Sequence, residues 1–348
     1  MIGKYIIVEF CARISLLEHG QSSILEGIML RSLLIYFSKA DRMRRLMMGW
    51  KIARRVALRF VAGELLEDAI EVIKVLNSKS MNATLDQLGE DTFTPDEARK
   101  TAADILKILD TIEETGVRSS VSLKLTQIGL KLDEALCGEI LARILSHAQK
   151  SNNFVRIDME DSSCVDSTMR LYWKMRKEHG FDNVGMVIQS YLYRSDEDTQ
   201  SLLSEDTCIR MVKGAYKEPP EIAYPKKKDV DKAFDRLVKM MLEKAQSEDS
   251  PAISPNGKWP PITAVATHDQ KRIEYAIDLA KQLGIPKGKL EFQMLYGIRR
   301  DIQENLVAQG YPVRIYVPFG TQWYPFFMRR LAERPANLWF FVSSLFLK

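Results

Sequence analysis

The fold class predicted by this 348-residue sequence is α/β, a TIM-like (β/α)8 barrel with extra helices before it, and three observations predict it. From residue 82 onward, short β-type runs alternate with longer helical stretches. There are eight such runs, and they span 82 to 318, close to the roughly 250 residues of a closed barrel. None is followed by GxGxxG, so no dinucleotide-binding Rossmann unit is suggested. With 46% apolar and 28% charged residues the chain can bury a core of that size, which excludes disordered, collagenous and disulfide-stapled classes.

Taken in chain order, the first 28 residues match no clear period, and Met29 opens the first convincing element. They are expected to be non-native or disordered. From Met29 to Phe60, Leu, Ile, Met and Trp interleave with Arg and Lys at three- and four-residue spacing, which reads as one or two amphipathic helices. Residues 1 to 60 carry eleven Lys/Arg against four Asp/Glu, whereas the whole chain stands at only +4. The basic charge therefore belongs to one end. A solvated helical face explains it, and so does docking on anionic lipid; nucleic acid is not indicated. Chain organisation follows as a helical segment at 1–80, a barrel at 81–340 and a tail at 341–348.

The runs are NATLDQL (82–88), SSVSLKL (119–125), FVRIDM (154–159), VGMVIQ (184–189), CIRMVK (208–213), ITAVAT (262–267), LEFQML (290–295) and VRIYVP (313–318). Strand side chains alternate faces. Val121, Leu123 and Leu125, Val155, Ile157 and Met159, Met186 and Ile188, and Ile315 and Val317 form the set expected under the outer helices. The opposite parity aims Lys124, Asp158, Gln189, Arg210, Thr267, Gln293 and Tyr316 into the barrel near the strand ends. Buried polar groups are costly unless they bond each other or a ligand, so these seven mark a candidate active-site mouth.

Around the fifth run, Arg210 and Lys213 supply charge for a phosphate or an electron-rich ring, and Gly214 lets backbone approach a ligand closely. His268 reads as a loop hydrogen-bonder or as a base. After the last run, Glu333 stands four residues from Arg329 and three from Arg330, spacing that lets it hold a guanidinium for a carboxylate ligand. Cys11, Cys137, Cys164 and Cys208 lie far apart with no metal-ligand spacing, so no metal site or disulfide framework is expected and a reduced, cytoplasmic chain is. No secretory signal is visible. The uncharged stretch after Arg334 has 13 residues, short of the about 20 that cross a bilayer.

From about Arg59 to Asn337 the sequence resembles the monofunctional bacterial proline dehydrogenases, the FAD-dependent enzymes of the proline-utilisation family. The resemblance rests on DQLGE (86–90), SLKL (122–125), RIDMEDS (156–162), VIQSYLYR (187–194), RMVKGAYKEP (210–219), ATHD (266–269), EFQMLYGIR (291–299) and RIYVPFGTQWYPFFMRRLAERPAN (314–337). It implies a distorted (β/α)8 barrel with its last helix over the carboxyl ends of the strands. It further implies that L-proline is oxidised to Δ1-pyrroline-5-carboxylate by hydride transfer to non-covalent FAD, with a membrane quinone as electron acceptor. On this likeness Lys124, Arg329 and Arg330 bind the proline carboxylate, and Tyr316 and Leu295 pack on the ring. Glu90 is implied as the partner of Arg329 in an ion pair that closes the site. Asp158, Gln189, Arg210, Val212, Lys213, Gly214, Ala215, Thr267, His268, Gln293 and Glu333 fall where the family contacts FAD or supports the site, and Lys226 to Lys228 fall near its phosphates.

Lys217 departs from the longer bifunctional relatives, which carry an aromatic there. With no aldehyde dehydrogenase domain in the sequence, the product is expected to pass to a separate pyrroline-5-carboxylate dehydrogenase. The expected location is cytoplasmic, peripheral on the inner face of the cell membrane. Two alternatives stay open: a Schiff-base-lysine lyase or aldolase using Lys124 or Lys213, and a non-catalytic membrane-associated barrel.

Overall fold

A computed structural model describes residues 58–89 and 91–333, without the side chains of 329–333. The basic amphipathic segment, Glu90 and the tail after 333 lie outside the described residues. Two compact units divide the chain, one spanning Ala62–Gly320 and the other formed by the sequence on either side of it.

The Ala62–Gly320 unit opens with α1 (Leu66–Ser78) and then alternates β1 (Asn82–Gln87), α2 (Pro95–Thr115), β2 (Ser119–Leu123), α3 (Glu134–Lys150), β3 (Val155–Ile157) and α4 (Ser162–Trp173). It continues through β4 (Val184–Gln189), α5 (Ser195–Ser204), β5 (Ile209–Val212), α6 (Lys227–Ala245), β6 (Thr263–Ala266), α7 (Gln270–Gln282), β7 (Leu290–Leu295), α8 (Arg300–Ala308) and β8 (Val313–Phe319). All eight strands pair in parallel and in sequence order, and β8 closes on β1. The predicted barrel is present, and seven of the β-type runs contain their strands, while β8 runs one residue past the eighth, to Phe319.

Local chemistry sets the helix ends. Thr94 accepts the Glu97 amide at 3.2 Å, Pro95 occupies the first turn of α2, and Gly116 ends it at φ 64°. Asp133, Asp161 and Asp269 cap α3, α4 and α7 in the same way. The apolar stripe of α2, Ala98, Ala102, Ile105, Leu109 and Ile112, is buried along with the outward strand residues Val121, Leu123, Val155 and Ile157. Each large aliphatic side chain so buried is worth about 1.5–3 kcal/mol.

At the amino-terminal end of the barrel, the Pro-rich segment 251–261 packs against the strand starts. Its Gly257 carbonyl accepts Arg314 Nη2 at 2.8 Å, and Trp259 donates to the Asn152 carbonyl at 3.0 Å with its ring 5.7 Å from that of Phe154. Gly257 sits at φ 68°, where a Cβ would fall 2.2 Å from Asn82 Oδ1, so only glycine closes this end.

In the other unit, residues 58–61 and 321–333 are described, including α9 (Trp323–Glu333). Phe60 packs on Phe327 with centroids 6.3 Å apart, and Trp323 meets Phe327 edge-on at 6.1 Å. Arg329, Arg330 and Glu333 belong to α9, but their side chains lie outside the description.

Candidate active site

Register places the inward residues in layers. Arg210 lies beside Val187 and Ala264, Gln293 beside Ala266 and Arg314, and Tyr316 beside Leu295 and Thr84. At the carboxyl ends, five of the seven expected polar groups meet. Asp158 accepts Arg210 Nη1 at 2.8 Å and the Tyr316 hydroxyl at 2.7 Å, while Gln293 Oε1 accepts Arg210 Nε at 2.5 Å. Lys124 Nζ donates to Tyr316 Oη at 3.4 Å and stands 3.6 Å from Asp158.

Sequence reasoning missed two members of this cluster. Asp86, at the end of β1, accepts Lys124 Nζ at 3.0 Å, and Ser122 donates to Asp158 at 2.7 Å. The alternation that revealed the other strands holds in β1 too, with Asn82, Thr84 and Asp86 on one parity and Ala83 and Leu85 on the other. Applied there, it would have found Asp86. The network continues inward: Gln293 donates to Glu291 at 2.5 Å, and Glu291 holds Arg314 at 2.9 and 3.0 Å.

Proton affinities follow from these contacts. Burial works against the charge of Asp158, but Arg210 and Lys124 outweigh it and hold its carboxyl below the ordinary value. Burial pushes Asp86 up, only partly offset by Lys124. Lys124 is also penalised by burial, yet Asp86 and Asp158 together raise it, so it stays an ammonium. The Tyr316 phenol is driven well above its usual value by burial and by Asp158 and Asp86, so it remains a donor.

Other expected site residues fall elsewhere. Gln189 points inward but donates to the Glu160 carbonyl at 2.7 Å. Thr267 was expected to face inward; instead Ala264 and Ala266 take the inner parity, and the Thr267 hydroxyl accepts the Asp269 amide at 3.1 Å in the turn after β6. His268 accepts the Leu295 amide through Nε2 at 3.0 Å, the loop role rather than a free base. Lys213 is held by Asp231 at 2.5 Å and Asp269 at 2.6 Å. Gly214, at φ 109°, is required by protein packing: a Cβ there would lie 2.3 Å from the Tyr191 ring. Val212 ends β5 half-buried, Ala215 beyond it is exposed, and Lys226 is exposed as the residue before α6.

These groups suit a flavin dinucleotide. Arg210 is a fixed cation at the mouth, suited to an electron-rich ring, and the exposed Lys226 to Lys228 flank the start of α6, where free amides and cations suit a pyrophosphate. Among the described residues no group of His, Cys, Asp and Glu could hold a metal.

The family profile for proline dehydrogenase matches residues 69–342. This chain belongs to the proline dehydrogenase family. It is 40% identical over 320 residues to proline dehydrogenase 1 of Bacillus subtilis, covering 92% of this chain and all of that protein. Proline dehydrogenase of Deinococcus radiodurans is 40% identical over 301 residues, 85% of this chain and 90% of its own length. Among solved structures, proline utilization A of Bdellovibrio bacteriovorus inactivated by N-propargylglycine is similar at a TM-score of 0.72 and 26% identity. That match covers 81% of this chain, which spans only about a third (33%) of the larger protein.

Proposed function

We propose that this chain oxidises L-proline to Δ1-pyrroline-5-carboxylate with FAD, the first step of proline degradation, and that a membrane quinone takes the electrons. The joined cluster of Lys124, Asp158, Arg210, Gln293 and Tyr316 at the barrel mouth carries the reading, in a chain of this family.

Bound FAD supplies a hydride acceptor, which no side chain can provide. Arg210, fixed by Asp158 and Gln293, would face the flavin, with Gln189, Val212, Lys213, Gly214, Ala215, Thr267, His268 and Glu333 as its remaining neighbours and Lys226 near its phosphates. The charged Lys124, together with Arg329 and Arg330, would take the substrate carboxylate, and Glu90 would hold Arg329. Tyr316 and Leu295, adjacent in register, would meet the ring. Holding a small rigid ring at its carboxylate fixes the opposite carbon, and such positioning is worth many orders of magnitude in rate.

Two lysines supported the rival Schiff-base reading. A Schiff-base lysine must shed its proton to attack a carbonyl. Asp86 and Asp158 raise the proton affinity of Lys124 and keep it an ammonium, and the Lys213 Nζ is already engaged by Asp231 and Asp269. The product would pass to a separate pyrroline-5-carboxylate dehydrogenase. We place the enzyme in the cytoplasm, at the inner face of the cell membrane where the quinone is. No described helix is long and apolar enough to cross a membrane.

An absorbance spectrum of the purified chain tests the reading. Flavin bands in the blue and near-ultraviolet that bleach anaerobically on adding proline are expected. A colourless protein that FAD cannot reconstitute, or bands indifferent to proline, would reject it.

A further inference from the structure

Lys124 carries a charge that burial opposes, so something must keep both the proton and the position of its ammonium. We propose that Asp86 is a positioning residue for carboxylate recognition, holding the Lys124 ammonium charged and aimed at the barrel mouth. The inference rests on the reading of Lys124 as a ligand of the substrate carboxylate.

Three groups contact the ammonium: Asp86 from β1 at 3.0 Å, Tyr316 from β8 at 3.4 Å and Asp158 from β3 at 3.6 Å. Glu160, after β3, and Tyr216, after β5, act on it at longer range. Asp158 is already engaged by Ser122, Arg210 and Tyr316, all at 2.7–2.8 Å. The Tyr316 phenol gives its proton to Asp158 and offers Lys124 only a lone pair. Asp86 is thus the nearest full charge, and at 1% exposure it is itself dependent on Lys124. An ammonium has three protons. Asp86 and the phenol oxygen take two directions, which leaves the third for a ligand carboxylate.

Asp86→Asn keeps the shape and removes the charge. Burial then weighs on Lys124 with only Asp158 close by to offset it, so its proton is shed at lower pH. The test is calorimetric binding of cyclopentanecarboxylate to the flavin-loaded enzyme between pH 7 and 10. This probe shares the ring and carboxylate of proline but has no amine to titrate. The parent enzyme should bind it with flat pH dependence. Asp86→Asn should bind about tenfold more weakly at pH 7 and weaken further toward pH 10, and Asp86→Glu should restore the flat profile.

Parent-like affinity and a flat profile in Asp86→Asn, while Lys124→Met binds poorly, would overturn the role of Asp86 alone. Parent-like binding by Lys124→Met would instead sink the carboxylate reading of Lys124. Should the Asn variant not fold, Asp86→Glu decides: its longer arm displaces the ammonium and should cost severalfold in affinity, and an unchanged constant would refute the proposal.

Discussion

The barrel holds two sets of buried charges, a floor and a mouth, and they are built differently. In the floor, Arg314 is held by both oxygens of Glu291 and by the carbonyls of Ala83 and Gly257, with both side chains at 1% exposure or less. Segment 251–261 covers them. In the mouth, Lys124 and Asp158 are 22% and 14% exposed, and Lys124 contacts three partners at 3.0–3.6 Å. The same residue types therefore serve different ends. Floor charges are saturated by protein, so they define the barrel's interior; mouth charges keep unused bonding directions, so they can meet a ligand.

The sharpest way to break this comparison is Glu291→Gln. It leaves Arg314 buried without its carboxylate, and urea unfolding should show a loss of about 3–5 kcal/mol. A cost below that of any mouth substitution would contradict the assignment of the floor to stability. Asp158→Asn should cost less, about 1.5–3 kcal/mol by the same measurement, because Arg210 keeps Gln293 and Ser122. Its larger effect should be on turnover, since Arg210 and Tyr316 lose the acceptor that orients both. An Asp158→Asn enzyme with parental turnover would move this residue into the structural class.

Tyr316→Phe comes next. Deleting the hydroxyl removes the bond to Asp158 and a contact of Lys124, a loss of about 0.5–1.5 kcal/mol in stability. If the phenol also crowds the ring's fourth carbon, hydroxyproline should be oxidised better relative to proline than by the parent. Equal discrimination in both enzymes would remove Tyr316 from the ring contact.

Much of the mouth could be read from period-two alternation, because strand parity is a local property. Lys124, Asp158, Arg210, Gln293 and Tyr316 all converge as parity required. What could not be read is which residue a strand end turns away. Thr267 shares the outer parity of Thr263 and Val265, and ITAVAT has no polar–apolar alternation to say that Ala264 and Ala266 face inward, beside Arg210 and Gln293. Gly214 reads as ligand-facing from its KGA context, but the Tyr191 ring that demands it arrives from another strand's loop. Lys213 likewise reads as a free cation, since Asp231 and Asp269 lie 18 and 56 residues away. Pairings at such separations depend on the closed barrel, which alternation alone does not specify.

The smallest expected effect is also the one that separates the two mouth carboxylates. Asp158 is held below its ordinary value of 3.8, so the stability it adds is present above that value and fades as pH falls through the lower folded one. Asp86 is raised from the same 3.8, so its contribution has the opposite sign: fully present below 3.8 and lost as pH rises through the folded value. In the parent the two partly cancel on acidification. Asp86→Asn removes the contribution that grows on acidification, so its stability should fall more steeply than the parent's below about pH 4, by up to about 1 kcal/mol per pH unit. Asp158→Asn should become less acid-sensitive than the parent. Urea midpoints from pH 3 to 6 measure both slopes, and the floor variant Glu291→Gln provides a reference in which this mouth pair is intact. Parallel slopes in the two mouth variants would mean that Asp86 and Asp158 do not differ in protonation as their contacts require.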